Sequence, residues 1–421
     1  MKIAENLKIE AAIPLLNIER LQLHWRPNEH AVLSLEGYIN NKIPYHLEQL
    51  YNSRFTLIMK QNKSEQCLFC GYIIKVECHT VARMEKVYLH VLSASCVLDR
   101  QEISRSFQLI EGTYSETVRQ AVESSGGKVI CVKGRDTKLS KPLIQYEETT
   151  WQFAKRLASH LNSSIIPDIE TGNPSLWFGM RKGKEISHFS AEQYTVIVKH
   201  NYQRNDFNEI SYQVVSKEFY KIGDQTSFLN EHMIIVGVSA YIEKGELFFS
   251  YLLQKNYIVD PIYQNKFAGL SLPGTILDTK DEFIKVALGI DNNASTGNYY
   301  YPWYPITGNA LYAMPEKGAK IELYFPNHDE RNGFISECTP ENKKKYKYQD
   351  RCFVLEDGNF IQLFENLLNF SKGGNQSVAL SDGLVSAGTT KLLQLSAGGK
   401  VRMRANRIQI YSDDEISVYK S

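Results

Sequence analysis

The sequence predicts a mainly β protein with one small α/β insertion. Three observations point to this fold class. Apolar and polar residues alternate over most of the chain, which is typical of strands with one buried face. A helical spacing of apolar residues occurs in only two segments, one within residues 106–185 and one after residue 359. The end of the chain repeats a pattern of apolar pairs separated by turn-forming residues.

Residues 1–105 are predicted to form a first β domain. Leu21, Leu23 and Trp25 alternate with polar neighbours and indicate the first clear strand. Similar short runs follow at residues 31–35, 55–59, 67–76 and 87–92. Because no helical period separates these runs, an antiparallel barrel or sandwich is expected.

Residues 106–185 change period and predict an α/β insertion. The apolar positions of a first helix share one face, at Val118, Ala121 and Val122. Gly126 and Gly127 end that helix. A second helix begins near Thr149, with Gln152 three residues later as a possible capping box. Its apolar face contains Trp151, Phe153, Ala154, Leu157, Ala158 and Leu161.

Two further β domains are predicted after the insertion. Residues 186–268 return to the two-residue alternation, with a tight turn at 244–246. Residues 269–340 hold several short strands, and their length fits a compact five-stranded barrel of the oligonucleotide/oligosaccharide-binding (OB) type.

Residues 341–421 are predicted to begin with a linker and an amphipathic helix. The helix is indicated by apolar residues at i, i+3, i+4, i+7 and i+8, namely Phe360, Leu363, Phe364, Leu367 and Leu368. Gly373 and Gly374 would end it.

The C-terminal stretch contains four apolar pairs whose starts lie eight, seven and eight residues apart. The pairs are Leu393 and Leu395, Val401 and Met403, Ile408 and Ile410, and Ile416 and Val418. Each predicted strand offers only two inward side chains, so one chain cannot close a core from them. Three chains wound into a β prism would bury the pairs on the axis. The cations of this stretch would then face outward, at Lys400, Arg402, Arg404 and Arg407.

The charge balance and the N-terminus exclude several classes of function. Lys and Arg (48) nearly equal Asp and Glu (47), for a net charge of +1, whereas a nucleic-acid binder usually carries an excess of cations. The apolar run at 11–16 is too short for a signal-peptide core, and no later run could span a bilayer. Neither a nucleic-acid partner nor stable membrane insertion is therefore predicted.

The seven cysteines do not predict a metal site or a disulfide framework. Cys67, Cys70 and Cys78 could supply three zinc ligands and His79 a fourth. However, adjacent residues 78 and 79 would point to opposite faces of a strand, so buried thiols are the preferred interpretation. No cofactor is predicted.

No motif in the sequence predicts catalysis, and no catalytic residue is assigned. His24 and His30 flank a turn without a nucleophile motif beside them. Glu147 and Glu148 could be a pair of glycosidase carboxylates, but adjacent side chains on an extended segment diverge. The aromatic run 299–303 could stack on bases in an OB domain, although nearby cations are sparse.

Two stretches resemble one known family. Residues 145–153 (QYEETTWQF), with Arg156 at the matching place, are similar to the signature of phage-tail hub proteins of the late-control-gene-D type. Residues 272–275, 301–306 and 314–326 resemble the spike OB domain of VgrG proteins, and Trp303, Pro315 and Gly318 stand at its motif positions. The two matches occur in the order found in VgrG and phage hub-spike proteins of contractile injection systems.

This resemblance implies a domain order and a set of partners. Residues 1–105 and 186–268 would be two tube-like hub barrels, followed by the OB domain (269–340) and a needle within 341–421. The implied assembly is a homotrimer that caps an inner tube and contacts baseplate proteins. Because the needle is short and no further domain follows, a separate PAAR-like tip protein and a separate effector cargo are expected.

The predicted function is that of a non-enzymatic structural spike, assembled in the bacterial cytoplasm and then released or fired as part of a tail particle. Two alternatives remain open from the sequence. One is a baseplate-associated cell-wall glycan hydrolase, and the other is an OB-fold protein that binds nucleic acid. The kind of machine, whether phage, tail-like bacteriocin or type VI secretion system, is not determined by the sequence.

Overall fold

The structure is a computed structural model that describes residues 6–39, 50–61, 64–81, 84–187, 189, 193–200, 208–305, 313–339, 351–355 and 357–419. The chain divides into two compact units, Met1–Glu341 and Asn342–Ser421. In the described part of the chain, no helix is long and apolar enough to cross a membrane.

The first β region contains six strands and a 3-10 helix. The strands are β1 (Leu7–Ala11), β2 (Leu15–Trp25), β3 (Val32–Ile39), β4 (Arg54–Gln61), β5 (Ser64–Val81) and β6 (Met84–Ser93), and the 3-10 helix is Ala94–Asp99. Leu21, Leu23 and Trp25 are at most 1% exposed, so the alternation along β2 places its apolar face in the core. The five runs predicted within residues 1–105 are thus confirmed as strands.

The insertion contains two helices and five strands. These are β7 (Glu102–Phe107), α1 (Tyr114–Ser124), β8 (Lys128–Cys131), β9 (Leu143–Thr149), α2 (Thr150–Ser159), β10 (Ile165–Pro167) and β11 (Ser175–Phe178). Both helices begin with a capping box, from Thr113 to Glu116 and from Thr149 to Gln152. Their apolar faces share one core with β8, β9 and β11. The predicted helices are confirmed.

The second β region joins the first in one sheet. Its strands are β12 (Glu185–Ile186), β13 (Tyr194–His200), β14 (Asn208–Ser216), β15 (Gln225–Phe228), β16 (Glu231–Glu243) and β17 (Glu246–Gln254). Lys244 and Gly245 turn between β16 and β17 with positive φ of 50° and 83°, as a two-residue hairpin requires. Strand β16 pairs with β2, opposing Val238 to Trp25, and this ladder completes a 12-stranded sheet.

The two β regions also share one hydrophobic core. Buried residues of both regions, such as Leu23 and Tyr251, belong to a single cluster. The predicted boundaries at 105 and 185 therefore separate segments of the chain and not separate sheets. Whether each segment forms a tube-like barrel of its own stays a prediction.

The segment predicted as the OB domain contains a five-stranded sheet in its described residues. Its strands are β18 (Ser271–Lys280), β19 (Phe283–Leu288), β20 (Tyr301–Pro302), β21 (Lys320–Tyr324) and β22 (Phe334–Thr339), and its 3-10 helices are Asn265–Phe267, Gly289–Asp291 and Glu330–Asn332. The strand order is β20-β19-β18-β21-β22. A parallel bridge between Trp303 and Ile335 connects the two ends of this sheet. Its buried residues share one core with Ile144 of β9. Closure of the sheet into an OB barrel stays a prediction.

The second unit contains a five-stranded meander. Its strands are β23 (Arg351–Val354), β24 (Phe360–Phe364), β25 (Leu367–Lys372), β26 (Gln376–Ser381) and β27 (Leu384–Thr389). The predicted helix over residues 360–368 is wrong, because Leu363 pairs with Leu368 across a two-residue turn. The pair next to the turn, Phe364 and Leu367, has an i, i+3 spacing that also occurs on one face of a helix. Gly373 and Gly374, with φ of 57° and 75°, form the next hairpin turn and do not end a helix.

The four strands predicted between residues 393 and 418 are not present as strands in the structure. The described part of the segment, up to residue 419, has no regular secondary structure and is exposed throughout. A strand requires backbone hydrogen-bond partners on a neighbouring strand, and none of the described strands pairs with this segment.

Candidate functional site

Helix α2 and strand β9 form a junction where the first β region, the insertion and the OB domain meet. A bulge in the β7–β9 ladder sets Tyr146 and Glu147 opposite the single residue Ser104. Glu147 adopts a positive φ of 42° at this bulge and its side chain stays exposed. The next residue, Glu148, consequently points into the protein and is 3% exposed.

Arg156 is the centre of the junction. Its guanidinium donates from Nη2 to Glu148 Oε2 at 2.9 Å and from Nη1 to Glu330 Oε1 at 2.6 Å. Nε adds a contact with Glu148 Oε1 at 3.0 Å, and Nη2 also donates to the backbone carbonyl of Ile144 at 2.9 Å. Glu330 lies between β21 and β22, so one side chain joins the insertion to the OB domain.

The electrostatics of this buried cluster favour a permanently charged arginine. Burial opposes the charge on Arg156, but the carboxylates of Glu330 and Glu148 raise its pKa above the ordinary value. Burial also raises the pKa of the Glu148 carboxyl, and the adjacent guanidinium offsets only part of that effect. Removing any one member would leave buried charge without its partner, which is far more costly than loss of a surface ion pair.

The aromatic residues of α2 contact the first β region and the insertion. Trp151 is 4% exposed, and its ring lies 4.2 Å from the ring of His30, which precedes β3. Phe153 is fully buried and stacks on Phe107 at 5.5 Å. His30 also contacts Ser95 Oγ at 2.8 Å. The helix thus contacts the first β region through Trp151, the rest of the insertion through Phe153 and the OB domain through Arg156.

A second contact joins the insertion to the OB domain beside the end of β7. Asp291 accepts hydrogen bonds from the Ser106 backbone N–H at 2.8 Å and from its hydroxyl at 2.5 Å. Gly297 forms a parallel bridge with Gln108. A Cβ atom on Gly297 would lie 2.1 Å from the Gln108 carbonyl carbon, so this position requires glycine.

We expect Gly297→Ala to destabilise the first unit by about 1–3 kcal/mol, because the backbone of residue 108 must move to admit the methyl group. Chemical denaturation followed by intrinsic fluorescence measures the change. Gly237→Ala is the matched control, since its added carbon would meet only ordinary contacts, the nearest at 3.4 Å. Equal stabilities of the two variants would show that the segments do not approach as described.

The second unit has no buried residue among its described positions, 351–355 and 357–419. Large apolar side chains of the meander are uncovered, including Phe353 (47% exposed), Phe370 (47%) and Val385 (73%). The predicted oligomer residues are also exposed, with Leu393, Leu395, Val401, Met403, Ile408, Ile410, Ile416 and Val418 ranging from 54% to 92%. Exposed apolar area of this extent is typical of a surface that another protein surface covers.

Comparison with solved structures supplies the fold. The E. coli c3393 protein, described as a type VI secretion component similar in structure to the T4 bacteriophage tail proteins gp27 and gp5, matches with a TM-score of 0.55 at 11% identity, over 80% of this chain and 100% of that one. A PdpA–VgrG complex matches with a TM-score of 0.55 at 9% identity, over 88% of this chain and 94% of that one. This chain has a VgrG-type fold. No protein-family model and no curated protein matches the sequence.

Within this VgrG-type fold, the OB motif residues Trp303, Pro315 and Gly318 pack in the core or shape the turn before β21. Trp303 is 8% exposed, and its indole N–H donates to the Ala313 carbonyl at 3.0 Å. Pro315 and Gly318 precede β21, and the Gly318 backbone N–H donates to the Ile276 carbonyl at 2.9 Å. Gly318 has a φ of 86°, which glycine adopts without strain. The structure does not bring these residues together with Arg156.

The cysteine and histidine candidates are dispersed. Cys67, Cys70 and Cys78 lie on β5, with Cys70 buried beside Arg54, whose Nε donates to its sulfur at 3.2 Å. Burial raises the pKa of the Cys67 thiol to about 11. His24 contacts Ser239 Oγ at 3.1 Å, apart from His30. Within the part of the chain that the structure describes, no group of three His, Cys, Asp or Glu side chains could hold a metal ion.

Sequence reasoning missed Glu330 and assigned no role to Glu148. The sequence does contain a signal for Glu148. Arg156 lies on the apolar face of the predicted helix and needs a buried anion, and Glu148 immediately precedes that helix. No signal pointed to Glu330, because it is 174 residues from Arg156 in the chain.

Proposed function

We propose that this chain is the homotrimeric central spike of a contractile injection system. The observation that carries the proposal is the exposed apolar surface of residues 351–355 and 357–419, because the second unit does not bury these side chains by itself. Three identical chains would cover these side chains symmetrically, with the apolar pairs on the axis. The VgrG-type fold of the chain supports the same assembly.

The mechanism of such a spike is mechanical. The hub regions would cap the inner tube, and the C-terminal needle would transmit the force of contraction to a point on the target envelope. The Arg156 cluster would hold the OB domain to the hub under load, since its ion pairs are buried and made through rigid elements. The expected partners are tube and baseplate proteins, a separate tip protein and, where present, a cargo carried on another chain.

Residues that suggested the two alternative functions, glycan hydrolysis and nucleic-acid binding, make structural contacts inside the protein. The Glu148 carboxylate, one of the two candidate glycosidase groups, forms its ion pair with Arg156 inside the protein. Tyr301 and Trp303 lie in the OB core, so these rings do not form a platform for stacked bases. Non-enzymatic action is therefore the function that the geometry supports best.

The solution mass tests the proposal directly. We expect the purified chain to sediment at three times its monomer mass at micromolar concentration, and to keep that mass on dilution across the micromolar range. A clean monomer would overturn the trimer. Clearing of purified cell wall by the wild-type protein, lost in a Glu147→Gln variant, would replace the structural function with a hydrolytic one.

A further inference from the structure

The charges of the C-terminal stretch are segregated along the chain. Residues 383–412 contain five cations, Lys391, Lys400, Arg402, Arg404 and Arg407, and no Asp or Glu. Three acidic residues follow together, at Asp413, Asp414 and Glu415. We define residues 391–407 as the cationic band. Its net charge is large for its length, whereas the whole chain has a net charge of only +1.

The cations of the band are not neutralised by their own chain. All five are exposed, and among the described residues none forms an ion pair. Some lysines of the first unit are paired instead: Lys86 contacts Glu19 at 2.7 Å and Lys217 contacts Glu246 at 2.6 Å. Mixed pairs of that kind are sufficient for solubility. A run of unpaired cations instead creates a positive field that an external anion can neutralise.

The sequence pattern fixes the side of the needle on which the cations lie. Lys400, Arg402 and Arg404 alternate with Val401 and Met403, and an extended chain sends alternate side chains to opposite faces. Any packing that buries the apolar pair therefore turns the three cations outward. In the trimer, each level of the band would present these charges on three sides.

We propose that the cationic band is a binding surface for anionic phospholipid headgroups of the target envelope. The inference rests on the proposed trimeric needle, which multiplies the charges of one chain by three on a narrow rod. Basic segments next to a membrane bind phosphate-bearing surfaces additively, with each cation contributing roughly a fivefold increase in partitioning. The acidic residues 413–415 would be repelled by the same surface, so the band and not the chain end makes the contact.

Vesicle flotation with the full-length protein tests this surface. We expect the protein to bind vesicles of phosphatidylglycerol and phosphatidylcholine and not to bind vesicles of pure phosphatidylcholine. Raising the salt concentration from about 0.1 to about 0.5 M should release the protein, because salt screens surface charges over this range. Substituting Lys400, Arg402, Arg404 and Arg407 by Gln should weaken binding by on the order of 100-fold or more. Replacing Asp413, Asp414 and Glu415 by their amides should strengthen it.

The control variant carries the same change in net charge elsewhere. Lys128→Gln, Lys141→Gln, Lys182→Gln and Lys280→Gln remove four exposed cations of the first unit and should leave vesicle binding unchanged. Equal weakening of both variants, no vesicle binding, or tighter binding to single-stranded DNA than to vesicles would each overturn the proposal. The mass of every variant is measured in parallel. A monomeric wild type argues against the spike itself, whereas a trimer that ignores anionic vesicles argues only against the cationic band.

Discussion

Arg156→Met is expected to destabilise the first unit by about 3–5 kcal/mol, the largest effect of any single substitution considered for this unit. The substitution keeps an unbranched apolar chain but leaves Glu148 and Glu330 buried without a countercharge. Both carboxylates are at most 3% exposed, so water cannot replace the guanidinium without opening the junction. Denaturant unfolding, followed by the fluorescence of the buried tryptophans, measures the loss.

Two companion variants distinguish an electrostatic origin from a packing defect. Adding Glu148→Gln and Glu330→Gln to Arg156→Met should recover most of the lost stability, because neutral amides replace the unpaired charges. Lys217→Met breaks an exposed ion pair with Glu246 and should change stability by no more than about 1 kcal/mol. If Arg156→Met were as mild as Lys217→Met, the cluster would not hold the OB domain to the insertion.

Local patterns in the sequence were sufficient to predict the secondary structure around this cluster. The capping box at Thr149 and Gln152 predicted the start of α2, and the apolar spacing after it predicted which face is buried. These signals are local because capping and helical periodicity depend on residues three or four positions apart. Glu330 could not be predicted in the same way, since its approach to Arg156 depends on how the OB domain packs.

The pairing of β2 with β16 is a second feature that local patterns could not supply. Both strands show clear alternation, but alternation states only that one face is buried and not which strand lies alongside. The ladder brings His24 opposite Ser239 across 215 residues of chain. As a result, two segments that predict separate β domains form one sheet, and the sequence offered no means to distinguish the two arrangements.

The error at residues 360–368 has a different cause. Asp357 and Gly358 form a turn before β24, and Glu365 and Asn366 connect β24 to β25. The turn pair Asp-Gly favours a hairpin. The prediction rested on the helical spacing of apolar residues alone, although a two-residue connection between short apolar strands produces the same spacing. Turn residues were the more reliable guide at this position.

Leu395→Asp combined with Ile410→Asp is expected to convert the trimer to a monomer at micromolar concentration. In the proposed prism, each substitution places three carboxylates around one level of the axis. Burying an unpaired charge there costs about several kcal/mol for each carboxylate. Those levels no longer contribute apolar burial, so the chains lose attraction at the same time as they gain repulsion. Sedimentation equilibrium measures the mass.

The matched control moves the same two negative charges by one residue each. Gln394→Asp and Gln409→Asp lie between the apolar members of their pairs and would face outward, so this variant should stay trimeric. Unfolding of the first unit should be the same in both variants, because residues 394–410 belong to the other compact unit. A trimer that survives Leu395→Asp and Ile410→Asp would mean that these side chains do not meet on an axis. The exposed apolar pairs would then have to be covered by a different protein, and the needle would not be built from three copies of this chain alone.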